Sequence, residues 1–379
     1  SARVLYASKA LSTTAVLRIA ASEGLGADVV SGGEQYTALR AGLDPGDIVF
    51  HGNNKTPAEL REALAAGIGR IAVDNSAELD RLSSIAAGMG VTADVQFRIK
   101  PGVSAHTHEY VRTGSIDSKF GFALETGEAE REMIRAMGLP GIRVRGVHCH
   151  IGSQIFGSES FVEAARIMTG FLADFAVHTG VRLEELNLGG GYGIRYTASD
   201  TPSEPDAILA PVADAVRAVC ADRAFPFPDV LIEPGRAIVA TAGTTLYTVG
   251  SVKTIPGIRT YVAVDGGMYE NPRYALYHAA YELVRADDPH AAREYPVTIA
   301  GKCCETGDLI QENVPMPPLR EGDVVAVLAT GAYHYSMAGN YNRNPRPAVV
   351  LCRDGSAMEI VRRETYEDLV RNDLIPEGL

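Results

Sequence analysis

The chain is 379 residues long, 46% hydrophobic and 22% charged, enough apolar material for a large core and, at usual domain sizes, for two domains. A net charge of -12 and a pI near 5.3, with no long Lys/Arg run, exclude the electrostatic footprint of a nucleic-acid or anionic-membrane binder and leave a small molecule as the expected partner. Five cysteines without paired Cys-x-x-Cys clusters give neither a disulfide framework nor a structural zinc site, and no export signal or membrane-length apolar run is readable, so a cytoplasmic location is expected.

From residue 4 onward, short β-branched runs alternate with helical patterns, the signature of repeated βα units on a parallel sheet. Eight runs are readable, at 4–7, 28–31, 48–51, 70–74, 95–100, 144–150, 186–189 and 230–233. Helices are expected at 12–23, from Pro57 onward, and at 76–87, 159–179 and 205–220. Thr56-Pro57-Ala58-Glu59 has the spacing of a capping box with Pro at the first helical position, and Gly67 suits the exit. Eight βα units favour a closed, TIM-type α/β barrel over an open doubly wound sheet, so 1–238 reads as a barrel domain. After Arg236 the grammar changes. Alternating runs at 244–249, 261–265, 297–300, 324–328 and 348–352, joined by Pro- and Gly-rich connections, predict an antiparallel β-sandwich or β-barrel domain over 239–379, ending in a short helix near 366–372.

Four stretches close runs of the expected barrel: Tyr6-Ala7-Ser8-Lys9, His148-Cys149-His150-Ile151-Gly152-Ser153, Gly189-Gly190-Gly191 and Glu233-Pro234-Gly235-Arg236. All fall at the C-terminal edge of the strands, where such barrels place their active sites. On closure the first strand lies beside the eighth, which makes Lys9 and Glu233 neighbours. A lysine at a barrel mouth is a phosphate-binding cation, a Schiff-base former, or merely a snorkelling cap. The three glycines let backbone N–H groups approach a phosphate closely, and Arg236 adds a guanidinium fork for that phosphate or for a substrate carboxylate. His148 and His150 share one side of their strand, with Cys149 on the other. With His106 and His108 they raise the question of a metal, but no ligand triad at familiar spacing accompanies them, so no metal is expected and an imidazole stacked on a flat cofactor ring fits better. A lysine, a phosphate nest and a buried carboxylate around one mouth describe pyridoxal 5'-phosphate: aldehyde to Lys9, phosphate to the glycines, ring nitrogen to Glu233. A carboxylate there keeps the ring nitrogen protonated, which favours decarboxylation over racemisation.

These stretches are joined by His51-Gly52-Asn53-Asn54-Lys55, His106-Thr107-His108-Glu109-Tyr110, Ser118-Lys119-Phe120-Gly121, Asp265-Gly266-Gly267-Met268, Cys303-Cys304-Glu305-Thr306-Gly307-Asp308 and Thr330-Gly331-Ala332-Tyr333. Together they resemble the group IV, alanine-racemase-fold decarboxylases over nearly the whole chain, and among them the diaminopimelate decarboxylases. The resemblance implies the type III fold of pyridoxal-phosphate enzymes and decarboxylation of meso-2,6-diaminopimelate to L-lysine and CO2, the last step of lysine biosynthesis. It makes Lys9, His150 and Cys304 the catalytic set: Lys9 carries the cofactor aldehyde, His150 stacks on the ring, and Cys304 donates a proton to the α carbon. Ser153, Gly189, Gly190 and Gly191 contact the phosphate, with Gly235 and Arg236 among the cofactor contacts, and Glu233 partners the ring nitrogen. Tyr333 reaches both cofactor phosphate and substrate. Arg236, Arg273 and Tyr277 hold the substrate's distal carboxylate, and Glu305 holds its distal ammonium. Cys304 and Glu305 are implied to come from the other subunit of a head-to-tail homodimer with two shared sites.

A substrate with an amino-acid head at each end needs its far carboxylate neutralised, a task suited to arginine. The rival readings are a sister decarboxylase acting on ornithine, arginine or a carrier-bound acyl amino acid, and a non-catalytic homologue that sequesters a regulator. The first lacks a use for Arg273 and Glu305; the second is expected to have lost Lys9 or Cys304. A racemase typically pairs the ring nitrogen with arginine instead of a carboxylate. One departure stands out: only eight residues precede Lys9, where the family has some tens, one segment of which pairs into the β domain. Either a trimmed N-terminus or an unprotected sheet edge is expected.

Overall fold

The computed structural model describes residues 1–103 and 118–379; His106 and His108 lie outside the described residues. The chain divides into two compact units, one of Ser1–Ile194 with Thr201–Ile238, the other of Arg195–Asp200 with Val239–Leu379.

The first unit is a closed ring of parallel strands: β1 (Ala2–Ala7), β2 (Gly26–Val29), β3 (Ile48–Phe50), β4 (Arg70–Val73), β5 (Ala93–Lys100), β6 (Ile142–His148), β7 (Glu185–Asn187) and β8 (Asp229–Ile232). Each pairs with the next, and β8 returns to β1 through Ala2↔Val230, Arg3↔Leu231 and Val4↔Ile232. A two-residue strand, Phe122–Ala123, adds to β5 outside the ring. Leu5, Val49, Ala72 and Leu231, from β1, β3, β4 and β8, cluster in the core. Closure leaves no strand edge to protect, and it brings the ends of the first and last strands together.

Local sequence accounts for most of the outer helices. Pro57–Ala66 has the expected capping box, Thr56 Oγ1 accepting from Glu59 N–H and Glu59 accepting from Thr56 N–H, and it ends at Gly67 in the left-handed region. Asn75 Oδ1 caps Ser76–Met89 by accepting from Glu78 N–H, and Glu159–Thr179 and Pro205–Asp222 follow as expected. Two helices escape sequence reading. Gly32–Ala41 opens on a glycine pair that reads as a break, yet Ser31 caps it; Glu128–Met137 is so charged that its buried stripe, Ala129, Met133 and Ala136, is easy to miss.

The second unit holds a six-stranded sheet in the order Leu283–Arg285, Val324–Leu328, Thr244–Ile255, Arg259–Val264, Tyr295–Ala300, Leu309–Met316, with a separate hairpin of Val349–Arg353 and Ser356–Val361. The long strand Thr244–Ile255 pairs with Val324–Leu328 through its first half and Arg259–Val264 through its second, with a register shift between Val249 and Val252. The sheet is mostly antiparallel as expected, but Arg259–Val264 and Tyr295–Ala300 run parallel. The connection between them carries the helix Arg273–Tyr277 and a strand, long enough for the crossover that a parallel pair requires. The short terminal helix is Tyr366–Val370.

Candidate functional site

β8 delivers Glu233 into the barrel with only 5% of its surface exposed. Three donors converge on the carboxylate: Asn187 Nδ2 at 2.6 Å and His51 Nε2 at 2.8 Å on Oε1, and His148 Nε2 at 3.1 Å on Oε2. Asn187 and His148 are the last residues of β7 and β6, and His51 follows β3, so the ring's closure is what gathers them. Burial alone would raise the Glu233 carboxyl, but His51 and His148 outweigh it and hold it well below the ordinary range. His148 is itself pushed down to about 4, chiefly by burial, so it is neutral at physiological pH and supports the carboxylate by donating its Nε2 proton. The ligand-type atoms of His51, His148 and Glu233 lie within 4.8 Å of one another, a spacing the hydrogen bonds already explain. Asp28 adds a second buried carboxyl 3.9 Å from His51 Nε2, raised by burial to about 6.

Sequence reading placed His148 and His150 as a pair on one face; the structure gives them different partners. β6 ends at His148, and His150 lies beyond it, where Gly190 N–H donates to its Nδ1 at 3.3 Å. Desolvation, then the positive charges of Lys9 and Arg98, holds His150 well below the ordinary imidazole range, so its ring is neutral. The glycine turn sits against these groups. Gly189 and Gly191 have φ of +66° and +116°, and a Cβ on Gly190 would fall 2.1 Å from the Glu233 carbonyl oxygen, so the approach of the β7 and β8 ends requires glycine. Arg236 Nη2 donates to Ser153 Oγ at 2.9 Å, joining the ends of β6 and β8. Gly235 packs against β1, where a Cβ would lie 2.9 Å from Ala7 Cβ and Ala7 O, and Ala7 N–H donates to Pro234 O at 3.1 Å. Lys9 follows β1 in the turn Ser8–Ala10 with its side chain exposed, and its charge reaches Asp28, Glu34 and His150. An exposed primary amine, a fixed carboxylate, a neutral imidazole and a glycine turn beside Ser153 and Arg236 are a donor set that fits a flat, phosphorylated pyridine aldehyde.

In the second unit Arg273 opens the helix Arg273–Tyr277 and is 9% exposed. Its Nη1 donates to Tyr196 Oη at 3.0 Å and to Tyr281 Oη at 2.5 Å, and its guanidinium carbon lies 5.2, 5.7 and 6.0 Å from the rings of Tyr196, Tyr281 and Tyr333. Among the described residues no carboxylate forms an ion pair with it; phenols are what hold this buried cation. Tyr333 takes a φ of +63°, an uncommon conformation for a non-glycine residue. Tyr277 is half-buried at the end of the same helix. Cys304 and Glu305 occupy a different place, the exposed loop 301–307, and no hydrogen bond or ion pair among the described residues links them to Arg273. Asp308, 2% exposed, organises that loop by accepting from Cys303 N–H at 2.7 Å and from Met268 N–H at 2.6 Å, while Cys304 N–H is held by Asn342 Oδ1 at 2.7 Å.

Several of these residues carry no distinctive sequence signal. Asn187 is a lone amide in an apolar run, Tyr196 and Tyr281 are distant tyrosines, and His51 stands out only within its five-residue phrase.

Comparison with known proteins follows the same lines. The model of the pyridoxal binding domain of pyridoxal-dependent decarboxylases matches residues 1–240. Diaminopimelate decarboxylase of Bacillus subtilis (strain 168) is 50% identical over 373 residues, covering 98% of this chain and 85% of that one. The crystal structure of diaminopimelate decarboxylase from M. jannaschii in complex with L-lysine is 36% identical and matches with a TM-score of 0.92 over 99% of this chain and 85% of that one. A lysine/ornithine decarboxylase from Vibrio vulnificus, solved with putrescine, is more distant, at 26% identity and a TM-score of 0.76 over 90% of this chain and 85% of that one. With a family model over more than half its length and a half-identical relative over nearly all of it, the chain belongs to the pyridoxal-dependent decarboxylases and, within them, to the diaminopimelate decarboxylase family.

Proposed function

We propose that this protein decarboxylates meso-2,6-diaminopimelate to L-lysine and CO2, the last step of lysine biosynthesis, with pyridoxal 5'-phosphate as cofactor. The observation that carries the substrate assignment is Arg273, a buried guanidinium held by Tyr196 and Tyr281 with no carboxylate paired to it among the described residues. A buried cation whose partners among the described residues are phenols favours an anionic ligand group, and the distal carboxylate of diaminopimelate supplies one that ornithine, arginine and lysine lack.

Each residue has a role that its surroundings support. Lys9 holds the cofactor through its exposed amine. Glu233, kept ionised by its three donors, holds a proton on the pyridine nitrogen. His150, neutral, packs on the ring face. Gly189, Gly190, Gly191, Ser153, Gly235, Arg236 and Tyr333 bind the phosphate. Arg273, Tyr277 and Arg236 take the distal carboxylate, Glu305 takes the distal ammonium, and Cys304 delivers a proton to the α carbon. When bound, the protonated pyridine supplies the electron sink that makes loss of CO2 from an α-amino acid feasible. Cys304 and Glu305, exposed on one loop, act across the interface of a homodimer, each protomer completing its partner's site. All five cysteines are free thiols, in keeping with a reducing, cytoplasmic setting.

The test is CO2 release and product analysis for the cofactor-loaded protein given meso-diaminopimelate, ornithine, arginine or L-lysine. Lysine formed from diaminopimelate alone is the expected result. CO2 from another substrate would overturn the assignment of Arg273, and CO2 from none would overturn the activity.

A further inference from the structure

Two amides, Gln96 in β5 and Asn187 at the end of β7, are fully buried inside the barrel unit at 0% exposure, and no part of the reaction described above uses Gln96. Asn187 Nδ2 donates twice, to Glu233 Oε1 at 2.6 Å and to Gln96 Oε1 at 3.2 Å, while its Oδ1 accepts from Gly189 N–H at 3.0 Å. Gln96 Nε2 passes the chain on to Glu185 Oε2 at 2.8 Å. Glu185, 2% exposed, is clamped by Arg70, whose Nε reaches both carboxylate oxygens at 2.8 and 3.0 Å. Arg70 and Glu185 open β4 and β7, so the chain of bonds runs from the N-terminal ends of the strands to the carboxylate at their C-terminal ends.

The chemistry of the two ends fixes the direction of every link. Carboxylates only accept, so Gln96 must turn its NH2 to Glu185 and therefore its oxygen to Asn187. Asn187 must then turn its NH2 to Glu233, which leaves its oxygen for Gly189 N–H. An inverted Asn187 would set its oxygen against the Glu233 carboxylate and the Gln96 oxygen, and its NH2 against a backbone N–H, losing three buried hydrogen bonds.

We propose that Asn187 is a positioning residue that holds the Glu233 carboxylate and the glycine turn in fixed relation, and that Gln96, anchored by Glu185 and Arg70, locks the polarity of its amide. One side chain thereby sets both ends of the cofactor site, the group facing the ring nitrogen and the turn facing the phosphate. The inference rests on the reading of Glu233 and the glycines as cofactor contacts.

The test uses the full chain with Asn187→Leu, Gln96→Met, the two combined, and Glu233→Gln. Each is measured for unfolding of the apoprotein, for affinity and absorption spectrum of pyridoxal phosphate titrated into it, and for kcat and KM. Asn187→Leu is expected to weaken cofactor binding about ten- to a hundredfold and to lower kcat with KM for diaminopimelate nearly unchanged. Gln96→Met moves both in the same direction by less. The combined variant is no worse than Asn187→Leu, because Gln96 acts only through Asn187. Additive losses in the combined variant overturn the proposal, as do cofactor affinity and kcat within about twofold of the parent in either folded single variant. Should Asn187→Leu fail to fold, Gln96→Met decides by the same criterion. Glu233→Gln separates the two levels: a crippled Glu233→Gln beside silent amide variants overturns the positioning role, whereas a silent Glu233→Gln overturns the reading of the site itself.

Discussion

Replacing Lys55 with Met tests how the loop that carries His51 is held. The Lys55 ammonium is sealed in the barrel unit, with 1% exposure of its side chain and of Glu78's, and it donates to Glu78 Oε1 at 2.9 Å, Ala72 O at 2.7 Å and Gly52 O at 2.8 Å. Burial pushes the lysine down and the carboxyl up, so the pair persists through mutual contact in a setting hostile to either charge alone. Lys55→Met keeps the apolar stem and removes the charge, stranding a buried carboxylate and two carbonyls. Breaking a buried pair from one side costs about 3–5 kcal/mol. At about 2–4 °C per kcal/mol for a unit of this size, the melting temperature should fall by about 6 °C or more. Calorimetry of the apoprotein measures it, and Lys55→Met with Glu78→Leu should recover part of the loss, since the stranded carboxylate is gone. A single variant melting within about 1 °C of the parent, or a double variant no better than the single, would refute the reasoning. Because Gly52 follows His51, Lys55→Met is also expected to weaken cofactor binding.

Arg273→Leu should raise KM for diaminopimelate by about a hundredfold, the loss expected for charge-assisted hydrogen bonds to one carboxylate, while the absorption of the bound cofactor stays as in the parent; an unchanged KM would remove Arg273 from substrate binding. Cys304→Ala should bind cofactor and melt like the parent but turn over at least about a hundredfold more slowly, as removal of a general acid predicts, and full activity would reject the proton-donor role. Glu270, 4% exposed, is raised to about 7 by burial, although Gly267 N–H and the Tyr247 hydroxyl both donate to it. A carboxyl whose folded pKa exceeds its unfolded value contributes stability that is complete below about 4.5 and is lost as pH rises through about 7, about 3 kcal/mol in all. Glu270→Gln should therefore flatten the pH dependence of unfolding between pH 5 and pH 8, measured by urea denaturation, and an identical slope in both proteins would contradict it.

Much of the barrel is local chemistry written openly. The βα alternation, the Thr56 capping box and the strand-ending phrases at Lys9, His150, Gly189 and Glu233 can be read one segment at a time, because hydrophobic period and turn residues act over a few positions. The sheet of the second unit is less legible, since the parallel pairing of Arg259–Val264 with Tyr295–Ala300 depends on a long crossover and not on either strand's own pattern. Charged helices and glycine-led caps hide Gly32–Ala41 and Glu128–Met137 for the same reason in reverse, because there the local text points away from the structure.

The amino-acid sequence by itself determined which residue types end the barrel strands, and so the kind of chemistry their mouth can hold. Only the tertiary structure decided their partners. Glu233 owes its charged state to His51, 182 positions away, and to His148 and Asn187, which meet it because a parallel ring brings the strand ends together. Arg273 owes its buried cation to Tyr196, 77 positions earlier, and to Tyr281. A hydrogen bond depends on distance and direction in space, and sequence separation sets neither until the chain has closed.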